Sequence, residues 1–133
     1  MLTIKARSET RAISIAAEPH AVLTFLADPQ QLPVWAPNFA ESVRQDGTEL
    51  VVGNGGNEIR VVMRVSYEHG TFDLLAAKDP RVGAFSRVIP NGDGSEYLFT
   101  LLFVDGTPDA DIARQMSIVE QELQAVRTHC EHS

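Results

Sequence analysis

Cysteine is almost missing from this chain: of 133 residues one is Cys, at position 130, and one is Trp, at position 35. A lone cysteine makes no internal disulfide, which removes the small stapled scaffolds of secreted proteins. The opening MLTIKARSET has neither the long apolar core nor the small-residue cleavage site of a signal peptide, so a cytoplasmic location is expected. Basic residues are the next shortage, 11 Lys and Arg against 18 Asp and Glu, and those present are scattered. Nucleic acid and anionic membrane surfaces are therefore not expected as partners. No apolar run approaches the roughly 20 residues of a membrane helix, so no membrane insertion is expected. Repeats, low-complexity tracts and linkers are also missing, which leaves a single domain over 1–133, long enough to bury a core without staples.

Periodicity is plentiful. From 109 to 130, apolar residues recur at Ile112, Met116, Val119, Leu123, Val126 and Cys130, and gaps alternating between four and three make one stripe along a helix. Earlier, 11–16 alternates with Ile13 and Ile15 on one side, which predicts a strand. Pro19 opens a helix without losing a needed donor, Asp28-Pro29 ends it, and 30–35 forms a second short helix. Strands are predicted at 41–46, 49–53, 58–66, 71–77, 82–89 and 96–104, separated by Gly-, Asn- and Asp-rich turns short enough to make neighbours antiparallel.

Each turn also fixes a register, because residues opposite one another share a face. Closing around Asp46-Gly47 pairs Val43 with Leu50, and closing around 54–57 pairs Val52 with Ile59. The 67–70 turn pairs Met63 with Leu74 and Arg64 with Asp73. A three-residue loop at 79–81 would set Asp73 against Arg87 and Phe72 against Val88, and the 91–94 turn sets Val88 against Tyr97 and Ser86 against Phe99. One face is then apolar throughout, while Arg64, Asp73 and Arg87 form a solvated row on the other, worth about 0.2 to 1 kcal/mol per pair.

The order of strand, two short helices, six-strand meander and long final helix resembles the helix-grip superfamily of START-related lipid-binding domains and polyketide cyclases, over essentially the whole chain. The segment ISIAAEPHAVLTFLADPQQLPVWAP is similar to that superfamily's opening strand and helix pair, with Pro19, Phe25, Leu32, Pro33 and Trp35 at matching places. RVIPNGDGSEYLFTLLF is similar to small bacterial members of polyketide cyclase/dehydrase type. The resemblance implies an α+β helix-grip fold, with a seven-stranded curved antiparallel sheet wrapped around the C-terminal helix and an apolar cavity between them. It carries no catalytic motif, since the superfamily shares a container and not a chemistry.

The ligand-binding candidates are Trp35, Met63, Leu74, Ser86, Tyr97, Phe99, Met116, Val119 and Leu123, chosen because they project inward from sheet, helix pair and final helix. Trp35 offers an aromatic wall with one N–H donor, and Ser86 and Tyr97 are the hydroxyls placed inside. No catalytic residue is assigned: general acid–base work needs a titratable group in the pocket, and the inward positions of the central strands hold none. His69 sits in a turn. Neither a metal nor a cofactor is expected. The His129-Cys130-Glu131-His132 tract has no second ligand cluster to join, and the Gly53-Asn54-Gly55-Gly56 run lies between strands, without the helix N-terminus of a phosphate loop. The reading is reversible binding of a small hydrophobic or aromatic molecule, with a cyclase- or dehydrase-type enzyme as the alternative. Val62, Leu75, Phe85, Ile89, Leu98 and Leu102 on the outer face suggest a homodimer.

Overall fold

The structure is a computed structural model of the chain and describes residues 7–132. Strand β1 (Arg7–Ile15) is followed by helix α1 (Pro19–Ala27), a single 3-10 turn (Pro29–Gln31) and helix α2 (Leu32–Trp35). Six strands then follow, β2 (Ser42–Asp46), β3 (Glu49–Asn54), β4 (Asn57–Ser66), β5 (Thr71–Ala76), β6 (Asp79–Asn91) and β7 (Gly94–Phe103), before helix α3 (Asp109–Glu131). All seven strands form one antiparallel sheet in the order β1-β7-β6-β5-β4-β3-β2. Each hairpin joins neighbours, and β1 closes on β7 by pairing Ile13 with Tyr97 and Ile15 with Ser95. No helix among the described residues is long and apolar enough to cross a membrane.

The turns set the register as their chemistry dictates, with two instructive departures. Val52 pairs with Ile59, Met63 with Leu74, Arg64 with Asp73, Val88 with Tyr97 and Ser86 with Phe99, all as expected. The first hairpin instead closes around Gly47-Thr48, with Gly47 at φ +63°, so Val43 meets Val52 and Gln45 meets Leu50. The second departure is a bulge between β5 and β6. Leu75 pairs with Gly83 but the next residue, Ala76, pairs with Asp79, leaving Pro80, Arg81 and Val82 as extra length on β6. Proline lacks the ladder donor, so a bulge suits this stretch. Gly83 is required at its foot because a Cβ there would collide with the Leu74 carbonyl oxygen.

The pairs of the first hairpin and the β5–β6 pairs from Thr71–Arg87 to Leu75–Gly83 each move by two residues, so these side chains keep their expected face while their partners change. Arg87 therefore lies opposite Thr71, and Asp73 opposite Phe85. Nor is the outer row simply solvated. Asp73 is only 8% exposed and accepts from Arg64 Nη2 at 2.9 Å, Arg64 Nε at 3.1 Å and the Ser86 backbone N–H at 3.3 Å. Arg87 turns away and donates to the His69 carbonyl at 3.2 Å.

The core lies on the inner face, but α3 does not cover that face evenly. Its close backbone contacts are with β1, β7, α1 and α2. Ile112, Met116, Val119, Leu123, Val126 and Cys130 are all buried there, beside Ile15, Tyr97 and Val22. The polar flank of α3 is tied to β1 through Arg11 Nε to Glu120 at 3.1 Å, Arg7 to Asp109 at 3.0 Å and the Ala16 N–H to Glu131 at 2.8 Å. The helix is thus held along one side of the sheet, and the inner face of β4, β5 and β6 is left facing a hollow.

Candidate ligand cavity

That hollow is a cavity of about 440 Å³, inside the usual range for small-molecule sites. Its floor is Val61, Phe72, Leu74, Ala76, Ala84, Phe99 and Leu101, inward positions of four strands. Leu32, Trp35, Ala36 and Phe39 roof it from α2 and the turn that follows. This turn is pinned to the sheet by Asn54, whose Nδ2 donates to the Asn38 carbonyl at 2.6 Å and to the Phe39 carbonyl at 3.2 Å, so the Gly- and Asn-rich hairpin anchors the roof. Trp35 stands edge-on to Phe72, ring centroids 6.4 Å apart, in the arrangement that aromatic quadrupoles favour.

The mouth is made by the bulge. Arg81, Val82 and Gly83 line it, together with Ile59, Arg60 and Leu102. Val82 and Ile59 are 47% and 49% exposed, although both lie on the apolar face, because α3 does not reach them. The two rim cations are already engaged: Arg60 Nη1 bonds Asp46 at 2.9 Å and Glu49 at 3.2 Å, and Arg81 Nε bonds Asp79 at 3.0 Å.

Two side chains of α3, Gln115 and Glu122, complete the wall. Glu122 is 7% exposed and makes no hydrogen bond or ion pair among the described residues. Burial alone pushes its carboxyl up to about 7. Nearby, burial raises the Tyr97 phenol far above its ordinary value; the Ser86 hydroxyl eases that shift without reaching full hydrogen-bond geometry, and the Glu122 charge adds to it. Trp35 Nε1, Ser86 Oγ and Tyr97 OH are buried polar atoms without a hydrogen-bond partner among the described residues.

Of the nine residues expected to meet a ligand, Trp35, Leu74 and Phe99 line the cavity together. Tyr97, Met116, Val119 and Leu123 are buried where α3 meets the sheet, Ser86 is buried on β6, and Met63 packs partly buried against the core. Glu122 is the residue the sequence reading missed, although a signal was present. It lies three positions after Val119 and four before Val126, on the same stripe.

The remaining candidates are dispersed. His69 is an exposed turn residue, 71% exposed at its side chain. In the C-terminal tract, Cys130 is buried while His129 stacks on Phe25 with centroids 5.6 Å apart and Glu131 caps the Ala16 N–H.

No family model and no curated protein matches the sequence. Solved structures do match in three dimensions. The protein XoxI from Bacillus cereus superposes with a TM-score of 0.72 at 15% identity, covering 92% of this chain and 94% of that one. A START superfamily protein from Mycobacterium smegmatis gives 0.67 at 14%, covering 94% and 97%. The Aha1 dimer from Colwellia psychrerythraea gives 0.74 at 14%, covering 94% and 96%. Element order, sheet topology and these likenesses together give the chain a helix-grip fold.

Proposed function

We propose that the chain reversibly binds a small hydrophobic or aromatic molecule in the cavity between sheet and C-terminal helix. The observation that carries this is the 440 Å³ hollow walled by Trp35, Phe72, Leu74 and Phe99. Apolar surface moved from water into such a site contributes about 25 cal/mol per Å² before association costs, enough for micromolar affinity from a modest ligand. Ala84 lies on the floor, so Ala84→Phe should abolish uptake of a hydrophobic fluorescent probe while the circular dichroism spectrum stays native. Unchanged uptake would remove the binding role.

A second reading, catalysis of cyclase or dehydrase type, is favoured by Glu122. Acid–base chemistry needs a titratable group inside the cavity, and a buried carboxyl raised to about 7 supplies one near a useful operating pH. Loss of product formation in Glu122→Gln, with probe uptake retained, would decide for it. As a protein partner we propose a second copy of the chain, seated on the outer sheet face where Leu102 is 41% exposed and Val62, Phe85, Ile89 and Leu98 are half-buried. Sedimentation showing monomer alone at high concentration would exclude it.

A further inference from the structure

Among the described residues that line the cavity, Glu122 is the one carboxylate. A carboxyl removed from water without a partner is costly, and structures normally answer that cost with a cation, with donors or with protonation. Among the described residues no cation is supplied: Arg60 and Arg81 stand at the rim on their own carboxylates, and neither pairs with Glu122. No donor is supplied either, since among the described residues no hydrogen bond reaches the Glu122 carboxyl. The Tyr97 phenol, whose shift registers the Glu122 charge and the neighbouring Ser86 hydroxyl, makes no hydrogen bond to Glu122 among the described residues. Apart from the uncharged Gln115 and the two paired arginines of the rim, the described wall is apolar, so a ligand would meet a greasy chamber with a single negative point. A net charge of −7 on the whole chain favours the approach of a cation over an anion.

We propose that the cavity selects lipophilic amines, the protonated nitrogen resting on the Glu122 carboxylate and the apolar body lying between Trp35, Phe72, Leu74 and Phe99. This deepens the binding reading above and depends on it. An ammonium group restores to Glu122 the partner the fold withholds, and a charge-assisted hydrogen bond in a water-poor site is stronger than a neutral one. A neutral molecule of the same shape gains only the apolar contribution, and a carboxylate of the same shape meets repulsion.

The test is a calorimetric titration of the whole chain at pH 8 with three ligands sharing one apolar body: naphthylethylamine, naphthylethanol and naphthylacetate. The amine should bind roughly tenfold or more tighter than the alcohol, and the acetate more weakly than either. In Glu122→Gln the amine's advantage over the alcohol should vanish. Equal binding of amine and alcohol to the unaltered chain, or an advantage that survives in Glu122→Gln, overturns the amine inference and leaves the cavity reading standing. If none of the three binds, the cavity reading fails and the inference goes with it. The comparison on the unaltered chain does not require the variant to fold.

Discussion

The inner face of the sheet has two halves that obey the same alternation and end in opposite states. Over β1 and the Tyr97 end of β7 the face is filled: Ile15, Tyr97, Met116, Val119 and Leu123 share one core and all five are at most 2% exposed. Over β4, β5 and β6 the same alternation delivers Val61, Leu74 and Ala84 to a hollow. Hydrophobic pattern is therefore not what distinguishes core from cavity in this fold. The distinction is made by where α3 is fastened, along β1 by Arg11, Arg7 and Ala16, and by the β6 bulge that widens the far side.

If that contrast is real, a truncation in the filled half should be much more damaging than the same truncation in the hollow one. Leu123→Ala opens a new void and should cost about 4 kcal/mol, whereas Leu74→Ala merely enlarges an existing space and should cost about 2 kcal/mol. Urea unfolding of the two variants measures the difference, and equal costs would mean that the hollow is closed in solution.

Glu122 sharpens the comparison because it belongs to the helix of the filled half and faces the hollow one. A carboxyl raised from 4.5 to about 7 holds its proton more tightly folded than unfolded. Its contribution to stability is therefore greatest below about pH 4.5, falls as pH rises towards 7 and is level above. The full drop is roughly 3 kcal/mol at most. Glu122→Gln should remove that slope, so the variant gains on the parent between pH 5 and pH 8 in thermal unfolding. A pH dependence identical in both proteins would show that the carboxyl is solvated.

The smallest effect is expected beneath the hollow half, on the opposite face. Asp73→Ala loses the Arg64 contacts and leaves the Ser86 N–H without its side-chain acceptor, a cost of about 1 to 2 kcal/mol. Probe uptake should be unchanged, since Asp73 does not line the cavity. Lost uptake would show that the two faces of the sheet are not independent.

How much of this was legible beforehand follows from what periodicity encodes. Alternation and turn length gave the seven strands, their antiparallel order and the faces of their residues, because a strand has only two faces and the pairs at the first hairpin and from Thr71–Arg87 to Leu75–Gly83 are each displaced by two. Pairing partners beyond those shifts were not legible: whether 79–81 loops out or bulges depends on the close approach of Gly83 to Leu74. Inwardness was readable for Tyr97, Met116, Val119 and Leu123, but their membership of the filled half was not, since it depends on the lateral seat of α3. Glu122 was passed over because the helical stripe was drawn through apolar residue types; drawn by angle, it includes position 122.

Trp35 has an optical consequence. It is the one tryptophan in the sequence, buried to 2% exposure, in the wall of the cavity and edge-on to Phe72. Indole emission from this protein therefore arises at a single place, and its colour and lifetime follow the polarity of that place with no background from other tryptophans. The molecule carries its own unlabelled sensor, so libraries of compounds can be screened against it by light alone.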